Sequence, residues 1–178
     1  MIRLFLDTNV ILDLIISDRD GHQSALALEN FANAHPCKLS CAWHSLSIIE
    51  YIGRKRFGSE AIHLLLRNLL DAFTVPSAGT DEAKQAFNYL AGDFEDALQI
   101  SAAVASKADH ILTNDASGFT KSPISVLSPK EFLFILKSAV QTKIFTARRR
   151  GRRGNAEKSL CFGILQGIFH GNSISPIG

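Results

Sequence analysis

The stretch LFLDTNV, Leu4 to Val10, constrains this chain more than any other. Ile2, Leu4, Phe5 and Leu6 form an apolar run that reads as one short buried strand. The run stops at Asp7, Thr8 and Asn9, then resumes as Val10, Ile11, Leu12, Leu14, Ile15 and Ile16 in a helix-like pattern. A carboxylate between two buried elements is costly unless something pairs with it. In an open α/β sheet the carboxyl end of a strand is where ligands bind. Asp7 is therefore a candidate first ligand of a metal site, with a helix cap or turn residue as the plainer alternative.

The rest of the chain supplies partners for that strand. Helices are expected over Asn9–Ile16, His22–Ala34, Trp43–Phe57, Ser59–Leu70 and Asp81–Leu90, then from Asp93 or Phe94 to Lys107. On the third, Leu46, Ile49, Gly53 and Phe57 form a stripe with Glu50 in or beside it. On the sixth, the stripe is Ala97, Ile100, Ser101, Val104 and Ala108. Strands are expected over Lys38–Ala42, Phe73–Val75, His110–Thr113 and Ile124–Leu127. Ser128, Pro129 and Glu131 form a capping box with proline at the first helical position, opening a last helix that ends near Ala139. Strands alternating with helices of ten or so residues predict an α/β fold: a mainly parallel sheet with helices packed on it.

Charge divides the 178 residues in two. Residues 1–140 carry 12 Lys and Arg against 16 Asp and Glu, whereas 141–178 carry 7 against 1. The expected organisation is a mildly acidic domain over 1–140 and a basic, weakly structured tail over 141–178. No apolar run nears the roughly 20 residues of a membrane helix, and the N-terminus does not read as a signal peptide. Cys37, Cys41 and Cys161 are too few and too poorly spaced for a disulfide framework or a zinc site, and suit buried thiols in a reducing cytoplasm.

Five acidic residues fall at the four places where elements should converge. Asp7 ends the first strand, Glu50 lies on the core side of the third helix, Asp93 and Asp96 open the sixth helix on one face, and Asp115 ends the fourth strand. If strands one and four are parallel neighbours, Asp7 and Asp115 share one edge of the sheet. Carboxylates gathered in one cleft repel each other and would hold protons unless a cation joined them. Hard oxygen ligands suit Mg²⁺ or Mn²⁺, and the matching chemistry is phosphodiester hydrolysis. Each acid also has a structural reading: a solvated helix face for Glu50, the helix dipole for Asp93 and Asp96, a turn for Asp115.

Three stretches in this order resemble the PIN-domain nucleases, in particular the VapC-like toxin ribonucleases of type II toxin–antitoxin pairs. They are LFLDTNVILDLI, DFEDALQISAAVASKADHILTND and ISVLSPKEFL, and Glu50 in SLSIIEYI stands where that family has its second acid. The resemblance spans about residues 1–138. It implies a three-layer fold with about five parallel strands between helices, and Mg²⁺- or Mn²⁺-dependent cleavage of RNA. It implies an acidic quartet of Asp7, Glu50, Asp96 and Asp115, with Asp93 as an outer ligand. Thr8 and Asn9 would orient the first acid, and Thr113 and Asn114 the last. A cognate antitoxin across the cleft, a homodimer through helix faces and a cytoplasmic location without membrane attachment follow from the same likeness. One departure stands out: relatives often carry a further acid where this chain has Gly118, just before Phe119.

Arg148, Arg149, Arg150, Arg152 and Arg153 would bind a phosphate backbone, or serve as a solubilising end. The six histidines form no HExxH-type pair and receive no role. No Gly-rich phosphate loop or nucleophile-elbow serine is present. An aspartyl phosphatase would need a second Asp two residues after Asp7, where this chain has Asn9. The rival to a nuclease is a binding module of the same fold that grips RNA or a protein without cutting.

Overall fold

The computed structural model describes the backbone of residues 1–149 and the side chains of residues 1–139 and 141. Five strands, β1 (Ile2–Leu6), β2 (Cys37–Ser40), β3 (Phe73–Thr74), β4 (His110–Leu112) and β5 (Ser125–Leu127), form one sheet. Its order is β3-β2-β1-β4-β5, and every pairing is parallel. Leu4 stands opposite both Leu39 and His110, and Leu6 opposite Leu112. β1 is therefore central, with its C-terminal end where the strand order reverses.

The alternation of side chains along β1 explains its largely apolar sequence, IRLFL. Ile2, Leu4 and Leu6 enter one core with Val10, Ile11, Leu28, Ile49, Ile62 and Phe132. Phe5 points the other way, into a second core with Ala42, Ile100, Ala103 and Ile111. A strand buried on both faces needs apolar residues at nearly every position; the exception, Arg3 near the strand's start, pairs with Asp109 at 2.6 Å. Helices on both faces complete the three-layer α/β architecture: α1 (Thr8–Ile15), α2 (His22–Ala34), α3 (Trp43–Phe57), α4 (Ser59–Ala72), α5 (Thr80–Tyr89), α6 (Phe94–Ala105) and α7 (Pro129–Arg149).

Local signals set several of these boundaries. The α3–α4 turn is made by Gly58 at φ +83°, a conformation that favours glycine. A Cβ on Gly53 would run into Ile62, so that glycine lets α3 and α4 pack closely. The buried stripe of α3 is Ser45, Ile49 and Gly53, and Phe57 lies outside it, 40% exposed. The expected stripe drifted toward Phe57 because its spacing overshoots the buried arc in the last turn. At α7, Ser128 Oγ accepts from the Glu131 amide at 3.2 Å and Glu131 Oε2 accepts from the Ser128 amide at 2.8 Å, closing the expected box. α7 runs on to Arg149, ten residues past the expected end; no proline or glycine interrupts 130–150. Burial pushes the Cys37 and Cys41 thiols up to about 12, so both stay protonated. Cys161, Arg150, Arg152 and Arg153 lie outside the described residues. Among the described residues no helix is long and apolar enough to cross a membrane.

Candidate metal centre

Asp7 closes β1 and caps α1. Its amide bonds the Leu112 carbonyl at 3.0 Å, which ties it to the end of β4, and its Oδ1 accepts from the Asn9 amide at 3.4 Å. The carboxylate is 2% exposed. Two side chains from distant parts of the sequence hold it. Gln99 Nε2 donates to Oδ1 at 2.9 Å and Thr113 Oγ1 donates to Oδ2 at 2.7 Å. Gln99 in turn accepts from the Thr8 amide at 3.1 Å. Both carboxylate oxygens are thus fixed by neutral donors, which orient the charge without cancelling it.

Asp93 caps α6, accepting from the Glu95 amide at 2.8 Å, and sets Glu95 and Asp96 in the first turn. Burial, and then the charges of Asp7, Asp93, Glu95 and Asp115, together lift the Asp96 carboxyl to about 6; no positive charge opposes them. Glu95 is raised by burial and by the same Asp7 and Asp93 charges. The structure therefore places Asp7, Asp93, Asp96 and Asp115 in one field and adds Glu95, which sequence reasoning passed over. Asp115 sits at the solvent edge, where Oδ1 accepts from the Ser117 hydroxyl at 2.6 Å and from the Ser117 amide at 3.0 Å. Those bonds hold its carboxyl below the usual range and start a 3₁₀ turn, Ser117–Phe119. The turn brings Gly118 against Asp96: a Cβ there would overlap the Asp96 carboxylate. The departure at position 118 is thus also the clearance for Asp96.

Glu50 is not among the charges acting on Asp96. Its Oε1 lies 3.4 Å from Arg54 Nε and 3.6 Å from His63 Nε2, at the α3–α4 packing. It is α3's first turn, not its middle, that meets the acid centre. Ser45 Oγ lies 2.8 Å from Thr8 Oγ1, and the His44 ring feels the Asp7 charge while burial lowers its basicity. His44 Nε2 is buried with no hydrogen-bond partner among the described residues.

The supporting residues divide differently from expectation. Thr113 serves both ends, bonding Asp7 and accepting from the Asp115 amide at 3.0 Å. Thr8 orients Gln99 and Ser45. The side chain of Asn114 turns to a second buried acid, Asp13, which is 4% exposed, and that of Asn9 turns to Arg19, the partner of Asp13. Asn114 Nδ2 donates to Asp13 Oδ2 at 2.7 Å, Arg19 Nε pairs with Oδ1 at 2.5 Å, and Asn9 Oδ1 accepts from Arg19 at 3.3 Å. Two signals could have found these residues: Gln99 follows Asp96 at i+3 on one helix face, and Asp13 is an acid inside an apolar helical run.

Residues 3–117 match the PIN domain family, well over half of the chain. The chain belongs to that family. Solved structures share the PIN fold over most of this chain. VapBC-1 of nontypeable Haemophilus influenzae matches at TM-score 0.57 and 12% identity, covering 72% of this chain and 99% of its own. A DNA-bound VapBC of Salmonella typhimurium matches at TM-score 0.55 and 16% identity, covering 72% and 99%. Mycobacterium tuberculosis VapC20, a Sarcin-Ricin loop cleaving toxin, matches at TM-score 0.53 and 15% identity, covering 65% and 92%. No curated protein matches the chain.

Does this PIN centre fit the divalent ion its family implies? Among the described residues no three His, Cys, Asp or Glu side chains stand close enough to hold one ion between them. The donor chemistry nonetheless fits. The candidate donors are hard carboxylate oxygens, and the like charges around Asp96 are uncompensated. Asp7 and Asp96 would hold the ion, with Asp93, Glu95 and Asp115 around them. Gly118→Ala tests that arrangement, because the new methyl must push the Asp96 carboxylate aside. Only the end of a flexible side chain has to move, so the melting temperature is expected to change by no more than a few degrees. Mn²⁺ affinity is expected to fall roughly 10- to 100-fold, the usual cost of misplacing a ligand's support. Titration calorimetry beside thermal melts checks both halves.

Proposed function

We propose that this PIN domain is a metal-dependent endoribonuclease and the toxin of a toxin–antitoxin pair. The observation that carries the reading is the pairing of two unlike acids: Asp7, buried and locked by Gln99 and Thr113, and Asp96, held protonated to about pH 6 by burial and its neighbours. A bound Mg²⁺ or Mn²⁺ would supply an activated water and neutralise charge on the phosphate. Asp7 presents a carboxylate whose orientation is set by donors on α6 and β4. Asp96 would bind the cation as the carboxylate, without the proton it holds up to about pH 6. Asp115, kept ionised by Ser117, adds negative charge at the solvent edge and can orient the attacking water. Glu50 remains a candidate ligand only if its bonds to Arg54 and His63 are exchanged.

The nuclease fold takes residues 1–140. Residues 141–178 add a basic appendage whose arginines, Arg148 to Arg153, bind RNA phosphates; α7 carries the chain across that boundary. An antitoxin segment lying over the acid centre restrains the enzyme in the cytoplasm, and the active unit is a homodimer packed through helix faces. The VapBC complexes among the structural relatives support the antitoxin reading.

A labelled RNA pool tests the proposal. Mg²⁺ or Mn²⁺ should give discrete cuts that a chelator stops and that Asp7→Asn does not make. Equal cutting by both proteins would identify a contaminant and overturn the reading.

The Asp96 carboxyl adds a pH test. Its ordinary pKa is 3.8, and the fold raises it to about 6. Below pH 3.8 both folded and unfolded chains hold the proton; as pH rises toward 6 the unfolded chain loses it first, so this group's contribution to stability declines across that window. A divalent ion needs the carboxylate and restores the loss above pH 6. The expected result is a Mn²⁺-induced rise in melting temperature that is large at pH 7 and shrinks steadily toward pH 5. A rise independent of pH would place the ion elsewhere.

A further inference from the structure

α3 and α6 both open at the acid centre, and each begins with an exposed aromatic residue. Trp43 is the first residue of α3 and is 72% exposed. It directly precedes His44, which feels the Asp7 charge, and Ser45, which bonds Thr8. Phe94 is the first residue of α6, between the cap Asp93 and the pair Glu95 and Asp96. Its ring lies 4.8 Å from that of Phe87, which is 64% exposed. What sets Trp43 and Phe94 apart from other exposed apolar residues is their place at the openings of the two helices that meet the acid centre, where a flat face with a polar edge can meet a ligand.

Further along α3, Tyr51 is already covered: Lys55 Nζ sits 3.9 Å from its ring centroid. No ring or cation covers Trp43 among the described residues. Polar or acidic residues adjoin each of these aromatics along the chain. Acids flank Phe94, and polar His44 and Ser45 follow Trp43. Separate flat rings beside a centre that handles phosphate suit nucleobases, because a base presents an apolar π-face while its phosphate stays in polar surroundings.

We propose that Trp43 is a nucleobase-stacking subsite beside the acid centre, with the Phe87–Phe94 pair as a second platform on α6, so that the substrate is engaged through bases out of their stack. This rests on the ribonuclease reading and names which part of an RNA the site grips. Paired bases inside a duplex cannot reach either ring. Stacking strength follows ring area, so purines bind ahead of pyrimidines at Trp43.

Trp43 is the only tryptophan of the chain, so its fluorescence reports on this subsite alone. The full-length Asp7→Asn protein, which leaves the oligonucleotide intact, is titrated with a short dye-labelled single-stranded RNA. A strand of equal length and charge with abasic sites is the comparison, and anisotropy of the dye reports binding independently. The expected result is quenching of Trp43 by the normal strand and little by the abasic strand or a duplex. Trp43→Ala should bind roughly 5- to 150-fold more weakly, the fold-change equivalent to one stacked base, and Trp43→Phe should recover most of it. Binding by anisotropy with no quenching and an unchanged Trp43→Ala affinity overturns the subsite and leaves the ribonuclease reading standing. Loss of a self-associated species in Trp43→Ala, with RNA affinity unchanged, assigns the indole to a protein interface and also overturns it. Absence of both RNA binding and wild-type cleavage overturns the ribonuclease reading, and the subsite with it.

Discussion

Asp7→Asn is expected to lower RNA cleavage by roughly 10³-fold or more while the protein stays folded, since the change removes a charge on which the proposed centre would depend. The shapes are nearly identical, so packing around residue 7 is kept. The amide oxygen still accepts from Gln99. The new amide nitrogen faces Thr113, whose hydroxyl can accept from it and send its own proton to the Asp115 carbonyl, already 3.1 Å away. Melting temperature is therefore expected to move little. The electrostatic effect should also reach Asp96, because Asp7 is the strongest of the charges that raise it. Its pKa should fall from about 6 toward the ordinary 3.8. Carboxyl NMR titration of wild type and variant reads that shift directly, and loss of activity with an unmoved Asp96 would show that the two acids do not share a centre.

Arg19→Ala carries the largest expected cost in stability. Asp13 is 4% exposed, and its carboxylate is held by Arg19 on one oxygen and Asn114 on the other. Gly21 leaves room for it, since a Cβ there would overlap the Asp13 carboxylate. Removing Arg19 strands a buried charge, which typically costs about 3–5 kcal/mol. Arg19 is itself 35% exposed, so water can enter and about 2–4 kcal/mol is the better expectation. For a domain of this size that is a fall in melting temperature of roughly 5–15 °C. Adding Asp13→Asn to Arg19→Ala should restore most of the loss, because the stranded charge has gone. Cleavage should fall too, since Asn9 and Asn114 tie this network to the residues that follow Asp7 and precede Asp115. An Arg19→Ala protein as stable as wild type would show that the pair clamps nothing.

Much of the fold was legible because its signals are local. Pro36 and Gly58 mark where α2 and α3 end, and Ser128 with Glu131 marks where α7 begins. The β1 run could be read as buried from Leu4, Phe5 and Leu6, consecutive apolar residues that take both faces. The end of α7 could not, because no breaker stands there and the expected boundary followed the apolar pattern alone. The 3₁₀ turn at Ser117–Phe119 depends on the Asp115 carboxylate bonding Ser117, a choice that composition does not announce.

The acids show the same division. The sequence by itself determined that Asp7 ends the central strand, that Asp93 and Asp96 open a helix and that Asp115 follows the fourth strand. In a parallel sheet with its strands in order β3-β2-β1-β4-β5, those positions reach one edge. Only the tertiary structure decided which side chains act on one another. Gln99 and Thr113, 92 and 106 residues from Asp7, lock its carboxylate; Glu50 turns to Arg54 and His63; Asn114 bonds Asp13, and Asn9 bonds Arg19, which pairs with it. The reason is one of range. Apolar periodicity fixes which face of an element is buried, whereas a hydrogen bond or a shared field depends on a few ångströms of helix rotation and strand register between elements far apart in the chain.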